Sequence, residues 1–157
     1  MNDPHNLQRF VDAQAPVYAQ VLAELGAGSK RSHWMWFIFP QFAGLGHSEM
    51  ARRFAIASRE EAAAYLAHPL LGPRLRECCR LTTQVEGRSA RQIFGSLDDV
   101  KFRSSLTLFA AAAPDEAVFA TALRKYFAGE PDASTLERLS AASAAANPAI
   151  IDEPQTP

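Results

Sequence analysis

The sequence has few cysteines, few β-branched residues and no long apolar segment. Its only cysteines, Cys78 and Cys79, are adjacent, and neighbouring thiols cannot build the disulfide framework of a secreted protein. Valine, isoleucine and threonine together number 17, against 29 alanines and 15 leucines, which favours helices and argues strongly against an all-β fold. Because no apolar run approaches the roughly 18 to 20 residues that cross a bilayer, we expect no membrane span.

An excess of either charge is also absent. Sixteen basic and seventeen acidic residues give a net charge of −1, and the three lysines and scattered arginines form no basic stripe for nucleic acid or anionic membranes. The polar start MNDPHNLQRF lacks the charged and apolar regions of a signal peptide. We therefore expect a cytoplasmic protein that binds neither nucleic acid nor membranes, and leave its oligomeric state open.

No metal or cofactor is indicated by the potential ligands. The two cysteines and the four histidines do not follow a recognised metal-binding spacing. The sequence thus predicts no metal site and no cofactor.

Capping and breaking signals divide the chain into helices. Ser58 and Glu61 have the spacing of a capping box, and Ser96 with Asp99 predicts the start of a long helix that ends near Ala113. Residues 1–145 are therefore predicted to form one all-α domain, a compact array of six to eight helices. The segment 146–157 is rich in proline and has no apolar stripe, so we expect a disordered tail.

Polar residues interrupt the apolar face of the long helix. At 100° per residue, Lys101, Ser104 and Ser105 fall inside an arc that begins with Leu97 and Val100. A lysine and two hydroxyls one turn apart could bind a phosphate or carboxylate.

Ordinary structural explanations of these residues remain open. Lys101 could extend to solvent or pair with Asp98, and the serines could allow another helix to approach closely. A nucleophilic serine–lysine pair is also conceivable, although no oxyanion hole is evident.

A dense aromatic block, residues 33–42, contains further polar groups. His33, Trp34, Trp36 and Gln41 bring four hydrogen-bonding side chains into a strongly apolar stretch. Taken singly, each would be explained as a satisfied core residue. Together they are typical of a pocket wall, since indoles stack on planar rings and His33 can exchange a proton near neutral pH.

Two more polar residues occupy unusual positions. Gln14 faces inward on its helix, where a hydrogen bond within the core would explain it. His68 precedes Pro69 at a corner between helices, where it could cap a helix end or reach a cleft.

Several segments resemble a bacterial family, the domain of unknown function 1810. They are DPHNLQRFVDAQ, KRSHWMWFIFPQFAGLG, AYLAHPLLGPRLRE, IFGSLDDVKFRSSLTLF and FAGEPD, within roughly residues 3 to 140. The resemblance implies an all-helical fold, and the family pattern falls on Gln14, His33, Trp34, Trp36, Gln41, His68, Lys101, Ser104 and Ser105. The calpastatin label that some members carry finds no support, because calpastatin is an extended inhibitor without a packed core.

Two functional hypotheses follow. In the first, these residues bind, and could transform, a small anionic ligand that is nucleotide-like or phosphorylated, with His33 and Lys101 as the first candidates for catalysis. In the second, the aromatic block 33–42 forms an exposed patch for a protein partner. A concave site around Lys101 favours the first hypothesis, and a flat apolar surface bearing Trp34 and Trp36 favours the second.

Overall fold

The computed structural model describes residues 2–146, which form ten helices. In chain order these are α1 (Gln8–Gln14), α2 (Tyr18–Gly26), α3 (Met35–Ile38), α4 (Glu49–Arg53), α5 (Arg59–Ala67), α6 (Leu71–Gln84), α7 (Ala90–Phe94), α8 (Asp98–Ala112), α9 (Ala117–Phe127) and α10 (Ala133–Ala146).

The all-α class is confirmed, with more helices than the six to eight expected. The excess comes from α3, α4 and α7, which have only four or five residues each. Within residues 2–146 there is no β-strand, and one isolated parallel bridge joins Phe42 to Ile56. None of the helices in this range is long and apolar enough to cross a membrane. Ala146 belongs to α10, and the rest of the predicted tail, 147–157, lies outside the described residues.

The long helix α8 is the centre of the fold. It packs against α3, α5, α7, α9 and α10. Its buried Phe102 contacts rings from three neighbouring segments, with centroids 4.9 Å from Phe39, 4.5 Å from Phe94 and 6.1 Å from Phe127. These aromatic contacts fix the first turns of α8 against α3, where the candidate site lies.

The two predicted caps have different outcomes. Ser58 caps α5 as expected, because its hydroxyl accepts the Glu61 N–H at 3.0 Å. The predicted cap of α8 by Ser96 is wrong: the helix begins after Leu97, without a side-chain cap. Asp99 instead accepts the N–H of its neighbour Val100.

Candidate functional site

A cleft of about 430 Å³ opens between α3, residues 39–48, the first turns of α8 and the start of α10. Its walls are mainly apolar and are formed by Met35, Phe39, Phe42, Leu45, Ala51, Phe54, Leu97 and Val100, with Trp36 beside them. A smaller set of side chains contributes polar groups: Gln41, His47, Ser48, Lys101, Ser104, Asp132 and Ser134. This combination of apolar walls with a few polar groups is typical of small-molecule sites.

Backbone pairing fixes one wall of the cleft. The Ile56 N–H donates to the Gln41 carbonyl at 2.9 Å, and the Ala43 N–H donates to the Ile56 carbonyl at 2.9 Å. These two bonds flank Phe42 and hold the segment in place. Among the described residues, no group hydrogen-bonds to the Gln41 side-chain amide, which lines the cleft. Its donor and acceptor are therefore available to a ligand.

The first turns of α8 bring a cation to an aromatic ring. The Lys101 Nζ lies 5.5 Å from the centroid of the half-buried Trp36 ring, within the range of a cation–π interaction. One turn further along, the Ser104 hydroxyl donates to the Val100 carbonyl at 3.1 Å and keeps its own acceptor positions. Cation, ring and hydroxyl thus share one cleft.

Asp98 holds Lys101 and a second lysine. Its Oδ1 accepts from Lys101 Nζ at 3.1 Å, and its Oδ2 lies 2.9 Å from Lys30 Nζ. The Lys30 side chain is only 8% exposed, whereas that of Lys101 is 31% exposed. Of the two structural explanations left open for Lys101, the pairing with Asp98 is the one present, and Lys101 also faces the cleft.

A buried carboxylate orders the segment that contains Lys30. Glu24 accepts the N–H groups of Arg31 and Ser32 at 2.8 and 3.1 Å, the Ser32 hydroxyl, the Trp34 indole N–H at 2.9 Å and the Gln20 amide at 2.7 Å. Burial alone raises the pKa of Glu24, but these hydrogen bonds stabilise the ionised form and lower its pKa to about 2. Glu24 is therefore ionised in the folded protein, and its carboxylate holds residues 31–34 in place.

The mouth of the cleft carries an unusual leucine. Leu97 has a φ of +77° and is 70% exposed, and the nearby Val100 is 54% exposed. The predicted placement of both residues on a buried face is therefore wrong, because the buried side of α8 is formed by Phe102, Leu106 and Phe109. A non-glycine residue at this φ is strained. Both side chains form an apolar lip of the cleft.

The cleft brings together Trp36, Gln41, Lys101 and Ser104 from the predicted set. Other members of that set lie outside its walls. Trp34 is 1% exposed and donates to Glu24, and His33 is exposed. The aromatic block and the long helix are predicted to meet through Lys101 and Ser105 in a single cleft with at least one of His33, Trp34, Trp36 and Gln41. Lys101 does share the cleft with Trp36 and Gln41. The expectation for Ser105 is wrong, because its side chain is buried and does not line the cleft.

Three more predicted residues occupy the core or a helix end. Gln14 is buried and donates to the Phe37 carbonyl at 2.7 Å, which is the core hydrogen bond anticipated for it. The His68 Nδ1 accepts the Leu70 N–H at 3.0 Å at the start of α6, so His68 acts as a cap. Ser105 is buried, and its hydroxyl has no hydrogen-bond partner among the described residues.

Some site residues escaped the sequence reasoning. Glu24 lies three residues after Val21 and seven after Val17, so it shares their apolar face. The criterion that identified Gln14 could have found it. By contrast, the local signal at Asp132 and Ser134 indicates only the start of the last helix, and their place in the cleft depends on contacts with distant parts of the chain.

No group of three or more histidine, cysteine, aspartate or glutamate side chains within the described range is arranged to hold a metal ion. The residues of the cleft offer hydrogen-bonding groups, the cation of Lys101, the carboxylate of Asp132 and several aromatic rings.

The chain is similar to a conserved hypothetical protein, Rv1873 from Mycobacterium tuberculosis, whose crystal structure at 1.38 Å superposes with a TM-score of 0.87. The two share 56% sequence identity over 88% of this chain and 99% of the mycobacterial chain. No curated protein matches. Residues 4–139 match a family model described as "Protein of unknown function (DUF1810)", and the chain therefore belongs to the DUF1810 family.

Proposed function

We propose that the cleft binds a small ligand that carries an anionic group next to a flat ring, as a nucleotide does. The observation that carries this proposal is the position of Lys101, whose ammonium lies 5.5 Å from the Trp36 ring centroid inside a cleft. A ring could stack on the indole while its anionic substituent pairs with the ammonium.

The size and the free polar groups of the cleft support such a ligand. A volume of about 430 Å³ falls within the range of small-molecule sites, about 300 to 1,000 Å³. The Gln41 amide can read the hydrogen-bonding edge of a heterocycle, because it offers both a donor and an acceptor. The hydroxyl of Ser134, at the first turn of α10, is a further donor in the wall.

One wall residue carries the opposite charge. Asp132 lines the cleft, and its carboxylate accepts the Thr135 N–H at 2.9 Å and the Thr135 hydroxyl at 2.6 Å. It therefore caps α10, where the positive end of the helix dipole offsets part of its charge. This offset is compatible with an anion elsewhere in the cleft.

The aromatic block gives less support to a protein-interaction module. Trp34, Met35, Phe37, Ile38 and Phe39 are all buried in the core. Of the aromatic rings in the block, only that of Trp36 is partly accessible, and its neighbours form a concave wall. A flat apolar patch, which that alternative requires, is not formed by this block.

A comparison of ligands tests the proposal. Adenosine monophosphate, adenosine and ribose 5-phosphate separate the contribution of the ring from that of the anion. We expect adenosine monophosphate to raise the melting temperature most, because it engages Trp36 and Lys101 together. If a broad panel of ring-bearing anions at millimolar concentration leaves the melting temperature unchanged, the proposal is wrong.

A matched pair of variants tests the role of the cation. Lys101→Met keeps the aliphatic stem and removes the charge, and Arg124→Met removes one charge from an exposed site on α9. A charge-assisted hydrogen bond contributes about 1.5 to 3 kcal/mol, so the first variant should weaken binding about 10- to 100-fold. Arg124→Met should bind as the wild type does. Equal affinities of Lys101→Met and the wild type would remove Lys101 from the site.

A further inference from the structure

Two lysines share one carboxylate beside the cleft. Lys30 and Lys101 approach different oxygens of Asp98, at 2.9 and 3.1 Å. The three groups together carry one net positive charge. How that charge is distributed depends on which lysine neutralises Asp98.

Lys30 is the more firmly fixed of the two. Its side chain is 8% exposed, its ammonium also donates to the Ser32 carbonyl, and it lies 5.1 Å from the centroid of the buried Trp34 ring. The Lys30 backbone N–H donates to the Ile93 carbonyl at 2.8 Å. Because both its backbone and its ammonium are held, Lys30 cannot leave Asp98 without local rearrangement.

Lys101 has more freedom. It is 31% exposed, and its other neighbour is the ring of Trp36 in the cleft wall. An anion that enters the cleft can therefore approach the Lys101 ammonium while Asp98 keeps its pairing with Lys30.

We infer that Lys30 is a positioning residue: by neutralising Asp98 it leaves the charge of Lys101 uncompensated over Trp36. This inference deepens the proposed function and rests on it, since it explains why Asp98 does not cancel the cation that would bind the ligand. Without Lys30, the carboxylate and Lys101 would form a pair with no net charge. The aromatic wall would then attract anions much less.

The fluorescence of Trp36 can report this charge without any ligand. The chain has two tryptophans, and Trp34 is only 1% exposed, so soluble quenchers reach mainly Trp36. Iodide, an anion, and acrylamide, which is neutral, are compared at constant ionic strength, because salt screens the interaction. The ratio of the iodide and acrylamide quenching constants then measures the sign and size of the charge at Trp36.

Three variants change the charge of the cluster in known steps. The wild type carries a net charge of +1 from its two lysines and one aspartate. Lys30→Met lowers it to zero, Asp98→Asn raises it to +2, and the double variant returns it to +1. Arg31→Met, an exposed neighbour, controls for a general change in protein charge.

We expect the quenching ratio to fall about twofold in Lys30→Met and to rise about twofold in Asp98→Asn. The double variant should return to the wild-type ratio, and Arg31→Met should change it little. A double variant that stays as low as Lys30→Met overturns the inference, because a merely structural role for Lys30 would not be rescued by removing the carboxylate. If Lys30→Met does not fold, a wild-type ratio in Asp98→Asn overturns the inference by itself.

Binding of adenosine monophosphate separates this inference from the proposed function. The dissociation constant should rise in Lys30→Met and recover in the double variant. If quenching follows the expected order but adenosine monophosphate and the wider panel do not bind, the assignment of Lys30 stands and the ligand proposal is wrong. If the ligand binds and the order fails, Lys30 has no such role.

Discussion

Replacing Glu24 with glutamine should remove the contribution of this carboxylate to the acid sensitivity of the protein. Five donor groups surround this carboxylate, and its pKa falls from an ordinary 4.5 to about 2 in the folded state. The unfolded chain therefore binds the proton more readily. The resulting stabilisation is complete above pH 4.5 and is lost as the pH falls toward 2.

The magnitude follows from the shift. At about 1.36 kcal/mol per unit, a difference of about 2.5 units corresponds to roughly 3 kcal/mol at neutral pH. Between pH 7 and pH 3, about 2 kcal/mol of this stabilisation should disappear in the wild type. Glu24→Gln cannot show that loss. The variant should also be destabilised by about 1 to 3 kcal/mol at pH 7, because a neutral amide leaves buried donors poorly satisfied.

Urea unfolding at pH 3, 5 and 7, followed by circular dichroism, measures the free energy of unfolding of both proteins. The difference in the free energy of unfolding between the wild type and Glu24→Gln should decrease by about 2 kcal/mol from pH 7 to pH 3. Glu137→Gln, at an exposed position beyond the first turn of α10, should show a constant difference near zero. A constant difference for Glu24→Gln as well would refute the assignment of a lowered pKa to this carboxylate.

Four further substitutions test the packing and one helix end. Gly72→Ala should destabilise the protein by about 1 to 3 kcal/mol, since its Cβ would lie 2.1 Å from the Leu66 carbonyl oxygen. In Gly26→Ala the added Cβ meets nothing within 4 Å, so this variant should be neutral or stabilising. Thermal melts compare the stabilities of the two variants. Ser105→Ala removes a buried hydroxyl that has no hydrogen-bond partner within residues 2–146. The free energy of unfolding should therefore stay equal or rise by up to about 1 kcal/mol, and a clear loss would contradict this. Lys125→Met removes an ammonium that donates to the Thr83 and Val85 carbonyls at the end of α6. It should lower the free energy of unfolding by about 1 kcal/mol in urea titrations.

Local signals predicted the helices well because the residues that begin and end most helices of this chain lie within a few positions of one another. Ser58 begins α5 through a hydrogen bond to a residue three positions away, so the pattern contains both partners. The start of α8 has no such side-chain cap. There, Leu97 adopts a positive φ that side-chain chemistry disfavours, and only the packing of the surrounding helices can impose it.

The candidate site could be predicted only in part, for a related reason. Lys101 and Gln14 both stand out as polar residues on an apolar face, and the sequence does not distinguish them. Lys101 lines the cleft, whereas Gln14 forms a hydrogen bond within the core. Periodicity shows that a polar group is buried but not what satisfies it. The partner of Lys101 across the cleft comes from α3, and Asp132 comes from the residues just before α10, so their meeting depends on tertiary contacts.

The leucine at the mouth of the cleft has a consequence for attempts to make the protein more robust. Leu97 combines an exposed apolar side chain with a backbone conformation that glycine adopts freely. A designer who optimises thermal tolerance would replace it first. That choice would remove half of the apolar lip. Selection for heat resistance alone would therefore alter the mouth of the cleft in which we propose that a ligand binds, as trade-offs between stability and activity describe.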